Sequence, residues 1–121
     1  MSDARRGLGQ AGETLAAREL ARLGLRVIAR NWRCAEGEID LIALDGDCLV
    51  IVEVRTRRGR AYGTPEESIT LAKRARLINL ARLYVAETGW RGPWRIDLVA
   101  VELDRAGRLL RVTHLPSAIE G

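Results

Sequence analysis

An α/β domain with elements in the order α-β-β-β-α-β-β, its mixed central sheet flanked by helices, is the fold class that the amino-acid sequence predicts. Three observations carry it. Residues 38–44 and 49–55 are two apolar, β-branched-rich runs separated by Asp45-Gly46-Asp47, the signature of a hairpin. Residues 8–23 and the stretch leading to Thr88 repeat their apolar positions with the period of a helix. The second helix lies between two strand-like runs, and a strand–helix–strand crossover is usually parallel and right-handed, so a sheet already holding an antiparallel hairpin becomes mixed.

The chain has 121 residues, enough for one domain and one core. Hydrophobic residues make up 47% and charged residues 30%, which is globular composition. No apolar run approaches the roughly 20 residues of a membrane span, and the polar start MSDARRGLGQ has no signal-peptide core. Cys34 and Cys48 have no paired spacing, which suits a reducing, cytoplasmic setting, and with one histidine they are too few for an ordinary zinc site. Net charge is +4, mostly from arginine, which favours a phosphate-rich partner such as nucleic acid; arginine excess also follows from a GC-rich genome.

In chain order, residues 1–7 and 116–121 are expected to be flexible. The first helix puts Ala16, Ala17, Leu20 and Leu23 on one side, and Glu13 shares that inward face. A first-turn acid commonly complements the helix dipole; an inward one asks for a partner. Gly24 ends this helix, and residues 25–32 form a first strand. The hairpin follows. Thr64-Pro65-Glu66-Glu67 reads as the start of the second helix, with a threonine cap, proline at the first position and a capping-box glutamate. Gly89 stops it. Residues 94–103 make a long strand parallel to 49–56, and 109–115 a last strand. Asp97 is a candidate partner for the arginines. His114, with no acid or cysteine beside it in sequence, reads as non-catalytic.

The charges of the hairpin stand out. Alternation puts Glu38, Asp40, Ile42 and Leu44 on one side of their strand, and Leu49, Ile51, Glu53 and Arg55 on one side of theirs. A two-residue turn at Gly46-Asp47 sets Asp40 opposite Glu53; one at Asp45-Gly46 sets Glu38 there instead. Either way three carboxylates share a face, whereas a three-residue turn separates them. Like charges across a ladder repel, and a carboxylate within LVIVEV is costly to desolvate unless compensated. A divalent cation, Mg²⁺ or Mn²⁺, is one compensation; an ion pair with Arg55 or Arg95 is the other. After Glu53 comes a basic segment, and the candidate phosphate contacts are Arg57, Arg58, Arg60, Tyr62, Lys73 and Arg74. Lys73 has two options, solvent or site.

The order of an acid on an early helix, then GEIDL, then EV followed by a basic residue, resembles the Holliday-junction-resolvase-like branch of the restriction-endonuclease-like superfamily. More closely, GEIDLIALDGDCLVIVEVRTR with YGTPEESIT and KRARL looks like the YraN family of small bacterial proteins, over nearly the whole chain. The resemblance implies a single restriction-endonuclease-like domain and metal-assisted phosphodiester hydrolysis. It makes Asp40, Glu53 and the Val54 carbonyl the metal ligands, Glu13 the holder of a second metal or a water, and Glu38 a supporting acid. It also exposes a departure: the superfamily's lysine position is occupied by Arg55. Arginine stays charged and cannot act as a general base, although it can orient water or stabilise a phosphoryl oxygen. Three functions therefore stand: a structure-selective nuclease acting on DNA, a nucleic-acid-binding module that does not cut, and an assembly protein. A homodimer is an expectation from the resemblance alone.

Overall fold

The computed structural model describes residues 3–120. Helix α1, Asp3–Arg22, is followed by strands β1, Arg26–Cys34, β2, Gly37–Asp45, and β3, Cys48–Arg58. A single 3-10 turn, Glu66–Ser68, precedes helix α2, Leu71–Thr88, and the chain closes with β4, Trp94–Leu103, and β5, Leu109–Ile119. The five strands form one sheet in the order β1-β2-β3-β4-β5. Only β3 and β4 run parallel, bridged by α2; the other neighbours are antiparallel. The α-β-β-β-α-β-β mixed sheet is therefore the observed fold. Among the described residues, no helix is long and apolar enough to cross a membrane.

Each face of the sheet carries one helix and one core. Under α1, Ala16, Leu20, Leu41, Ala43, Val50, Val52, Val99 and Val101 are fully buried. Under α2, the buried set is Ile39, Ile42, Leu49, Ile51, Leu77, Leu80, Ala81, Ile96 and Ile119. The alternation of β3 thus sends Val50 and Val52 to one helix and Leu49 and Ile51 to the other, as a period of two requires. Helix α1 sits very close to β3. A Cβ added at Gly12 would collide with the Thr56 hydroxyl, so the absent side chain is what lets the two backbones approach.

Several local expectations are corrected. The Thr64 capping box forms, with the Thr64 N–H donating to Glu67 Oε1 at 2.8 Å and the Glu67 N–H to Thr64 Oγ1 at 3.3 Å. It caps only the short 3-10 turn, because Ile69 is extended (φ −85°, ψ 102°) and breaks the helix. Helix α2 starts afresh behind a second cap, Thr70, whose hydroxyl accepts from the Lys73 N–H. Strand β5 runs past Pro116 to Ile119, which is buried under α2, so this part of the segment expected to be loose is sheet; Gly121 lies outside the described residues. Helix α1 begins at Asp3, within the segment expected to be flexible, and Met1 and Ser2 lie outside the described residues. Leu23, expected on the inward face, follows the helix end and is exposed. His114 does have an acid beside it in space: its Nε2 lies 2.7 Å from Asp97 Oδ2. Asp97, fully buried, also accepts from Arg95 Nε and the Ser117 N–H, so the β4–β5 end of the sheet holds a closed polar network.

Candidate functional site

The hairpin turn decides the site. Asp45 pairs with Cys48, leaving Gly46-Asp47 as the two-residue loop, and the ladder runs to Leu41 opposite Val52. Beyond that pair the strands part. Asp40 takes over where the ladder stops: its Oδ2 accepts the Val54 backbone N–H at 2.8 Å, a donor that the departing strand leaves behind. Glu53, one residue past the last pair, turns toward the same gap. The carboxylate-rich end of the hairpin is thus a cleft opened by strand divergence.

A second irregularity shapes the cleft. Ile39 packs under α2 whereas Leu41, two residues on, packs under α1, so strict alternation breaks at Asp40. Across from it, between the pairs Arg30–Leu41 and Trp32–Ile39, Asn31 has a positive φ of 53°. Asparagine is among the few non-glycine residues that accept this backbone region. The twist points the Asn31 side chain at α1, where its Nδ2 donates to Glu13 Oε1 at 2.9 Å. Sequence reasoning missed Asn31. An asparagine inside a strand-like run was the available signal, since that residue type tolerates the left-handed region better than its neighbours.

Two cavities meet at the carboxylates. One, of about 230 Å³, lies on the α2 side and is lined by Gly37, Glu38, Asp40, Glu53, Arg55, Lys73, Arg76, Leu77 and Leu80. The other, of about 560 Å³, extends toward the start of α1 and is lined by Leu8, Gly9, Glu13, Asp40, Glu53, Val54, Arg55, Thr56, Arg57 and Lys73. Asp40, Glu53, Arg55 and Lys73 belong to both, so the two are arms of one trough with acids and cations at its centre.

The electrostatics follow from this crowding. Burial first, and then the nearby Glu53 carboxylate, push Asp40 up to about 8, although the Val54 N–H opposes the rise. Burial likewise raises Glu13; the Asn31 hydrogen bond works against it, and the charges of Asp40 and Glu38 add to it. Lys73 is lowered from the usual lysine range by burial and by the neighbouring Arg55 and Arg57. Its Nζ donates to the Ser68 carbonyl at 3.3 Å. Arg55 donates from Nε to Ser68 Oγ at 2.7 Å and places Nη1 3.4 Å from Glu53 Oε2. Ser68, in the 3-10 turn, therefore anchors both cations over the acids.

The remaining candidates divide. Glu38 stands at the mouth of the smaller arm, 3.7 Å from Arg33. Arg57 lines the larger arm, and its Nε is buried without a hydrogen-bond partner among the described residues. Arg58, Arg60 and Arg74 do not line the trough. Arg58 donates to the Arg105 carbonyl, Arg74 to the Ala118 carbonyl, and Arg60 pairs with Glu102, which Arg111 also holds while bridging to Glu66. Tyr62 is exposed and stands apart from both arms. Sequence alone could not distinguish Arg57 from Arg58 or Arg60, because their partners lie more than forty residues away in β4 and the turn that follows it.

Among the described residues no three acidic, histidine or cysteine side chains converge closely enough to enclose a metal by themselves. A magnesium-like cation asks for less: one or two carboxylates, with water and a substrate phosphate completing its shell. Asp40 and Glu53 are such a pair, and the elevated Asp40 pKa reflects burial first and the neighbouring Glu53 charge second, both of which a bound cation would offset. The donor set consequently fits a hard divalent ion.

Comparison with known proteins gives the chain its relatives. The family model described as "Uncharacterised protein family UPF0102" matches residues 12–101. A UPF0102 protein from Roseiflexus castenholzii is 53% identical, covering 99% of this chain and 98% of its own length. One from Herpetosiphon aurantiacus is 51% identical over 87% of this chain and 89% of its own, and one from Pelotomaculum thermopropionicum is 49% identical over 98% and 99%. The matched segment takes in the hairpin, Glu13 and both of the trough's central cations, and the chain belongs to the UPF0102 family, the YraN family that its hairpin resembles.

Proposed function

We propose that this protein is a metal-dependent phosphodiesterase acting on nucleic acid, with DNA as the preferred substrate and branched or junction forms as its structural target. One observation carries the reading: Asp40 and Glu53 are held together in a cleft that raises Asp40, with Arg55 and Lys73 directly above them. An acidic pair ringed by cations suits a substrate that arrives as a polyanion and is cut at a phosphate.

Asp40, Glu53 and the Val54 carbonyl are the groups that would hold Mg²⁺ or Mn²⁺, with Glu13 beside them for a second ion or an ordered water. Bound there, the ion supplies Lewis-acid polarisation of the phosphate and a lowered pKa for water. Asp40 binds as the carboxylate, so its elevated pKa makes occupancy rise with pH. Asn31 holds Glu13 in place. Arg55, tied to Ser68 and Glu53, presents fixed positive charge to the phosphoryl oxygens and cannot take a proton from water. Lys73 adds a second cation on the same wall.

A second reading, nucleic-acid binding without cleavage, is favoured by Arg55 itself, since the position that carries a titratable amine in related nucleases carries a permanent charge. Calorimetry with Mn²⁺ and Mg²⁺ on wild type and Asp40→Asn, together with cleavage assays on branched and linear DNA, separates the two. Metal binding lost in the variant, with metal-dependent cutting by wild type, supports the phosphodiesterase. Absence of metal binding in wild type refutes it and leaves the binding module.

A further inference from the structure

The trough sorts the arginines in a way that bears on what part of a nucleic acid is recognised. Arg58, Arg60 and Arg74 are each tied to a carbonyl or carboxylate elsewhere on the surface. Arg57 faces the larger arm beside Lys73, and its Nε is buried with no partner among the described residues. A buried guanidinium N–H without an acceptor is costly, and a phosphate oxygen is the acceptor that its planar fork matches. The lining also includes Gly9, where nothing lies within 4 Å of the position a Cβ would take, so bare backbone borders the arm. Among the described residues, the lining of both arms contains no aromatic ring for a base to stack on and no asparagine or glutamine amide to pair with an adenine edge; its polar groups are mainly charged, and arginine and lysine contact phosphates most often.

We infer that the larger arm is a phosphate subsite, in which Arg57 and Lys73 bind the backbone phosphate next to the one at the carboxylates, and that recognition in the trough is of the backbone, independent of base sequence. This rests on the phosphodiesterase reading for its orientation, though not for its existence, since binding is measurable without cleavage.

The test is fluorescence anisotropy of short single-stranded DNA oligomers of unrelated mixed sequence, in metal-free buffer across a range of potassium chloride. Losing one phosphate contact lowers the magnitude of the slope of log K against log salt by about 0.7 on a single strand. Arg57→Gln is expected to show that loss, Arg57→Lys to restore it, and Arg74→Gln to match wild type, with all oligomers binding alike. Equal slopes for Arg57→Gln and wild type overturn the subsite, as does an equal loss for Arg74→Gln, which marks a diffuse cationic surface. A marked preference for one oligomer overturns the backbone reading. Circular dichroism melts of each variant confirm that the fold persists. Should DNA go uncut in every metal while the Arg57 effect remains, the phosphodiesterase reading falls and the subsite stands.

Discussion

Replacing Asp40 by asparagine tests the central electrostatic feature without any assumption about substrate. In an unfolded chain an aspartate titrates near 4, whereas burial and Glu53 carry Asp40 to about 8 in the fold. Between those values the native state keeps a proton that the unfolded state has released, so stability falls as pH rises, by up to about 1.4 kcal/mol per pH unit. Going from about pH 5 to about pH 7, wild type should lose about 2 to 3 kcal/mol relative to Asp40→Asn. That is a large part of the roughly 5–15 kcal/mol that holds a domain together. Asparagine keeps the shape and can still accept the Val54 N–H through its carbonyl. Contributions from titrating groups remote from Asp40 cancel in the difference, which reports the burial of Asp40 first and its repulsion by Glu53 second. Urea unfolding of both proteins at several pH values, in chelator, measures it. Parallel stability curves would show that neither burial nor Glu53 raises Asp40 and would remove the electrostatic basis for the site.

Four further outcomes are expected. Arg60 and Arg111 hold Glu102 down to about 2, so the stability it contributes is present above about pH 4 and drains away as pH falls toward 2; Glu102→Gln should flatten that acid limb in urea unfolding. Gly12→Ala should destabilise by about 1–3 kcal/mol through collision with Thr56, while Gly7→Ala, with open space around it, should stabilise by about 0.5–1 kcal/mol; thermal melts of opposite sign check both. Asn31→Gly keeps the left-handed backbone but deletes the donor to Glu13, and an NMR titration should find the Glu13 carboxyl higher still. Ser68→Ala releases Arg55 Nε, which should raise the ionic-strength sensitivity of DNA binding without altering the metal affinity of Asp40 and Glu53.

The elements that sequence determined are those set by local chemistry. The alternation of 49–55, the Asp45-Gly46-Asp47 turn and the glycine stops at Gly24 and Gly89 each act within a few residues, so the hairpin and the C-terminal ends of both helices could be read directly, while the choice between a turn at Gly46-Asp47 and one at Asp45-Gly46 waited for the pairing of Asp45 with Cys48. Either two-residue turn was expected to put Asp40 and Glu53 on one face; that the ladder stops at Leu41 and opens a cleft there was not legible. Even so, local signals misled at Thr64, where a well-formed capping box starts only one 3-10 turn because Ile69, drawn into the core beneath α2, is extended.

What required tertiary structure is pairing between distant segments. Asp97 meets His114 because β4 and β5 are neighbours, with the chain turning between them. Glu102 gathers Arg60 and Arg111 from opposite sides, taking Arg60 from the pool of free cations and leaving Arg57 in it. Asn31 reaches Glu13 only through a positive φ imposed where β1 and β2 change faces. The composition makes the chain basic and the hairpin makes one end acidic. Which cations face those acids is decided by where partners lie in space, since an arginine with a carboxylate within reach is neutralised there and one without remains available for a phosphate.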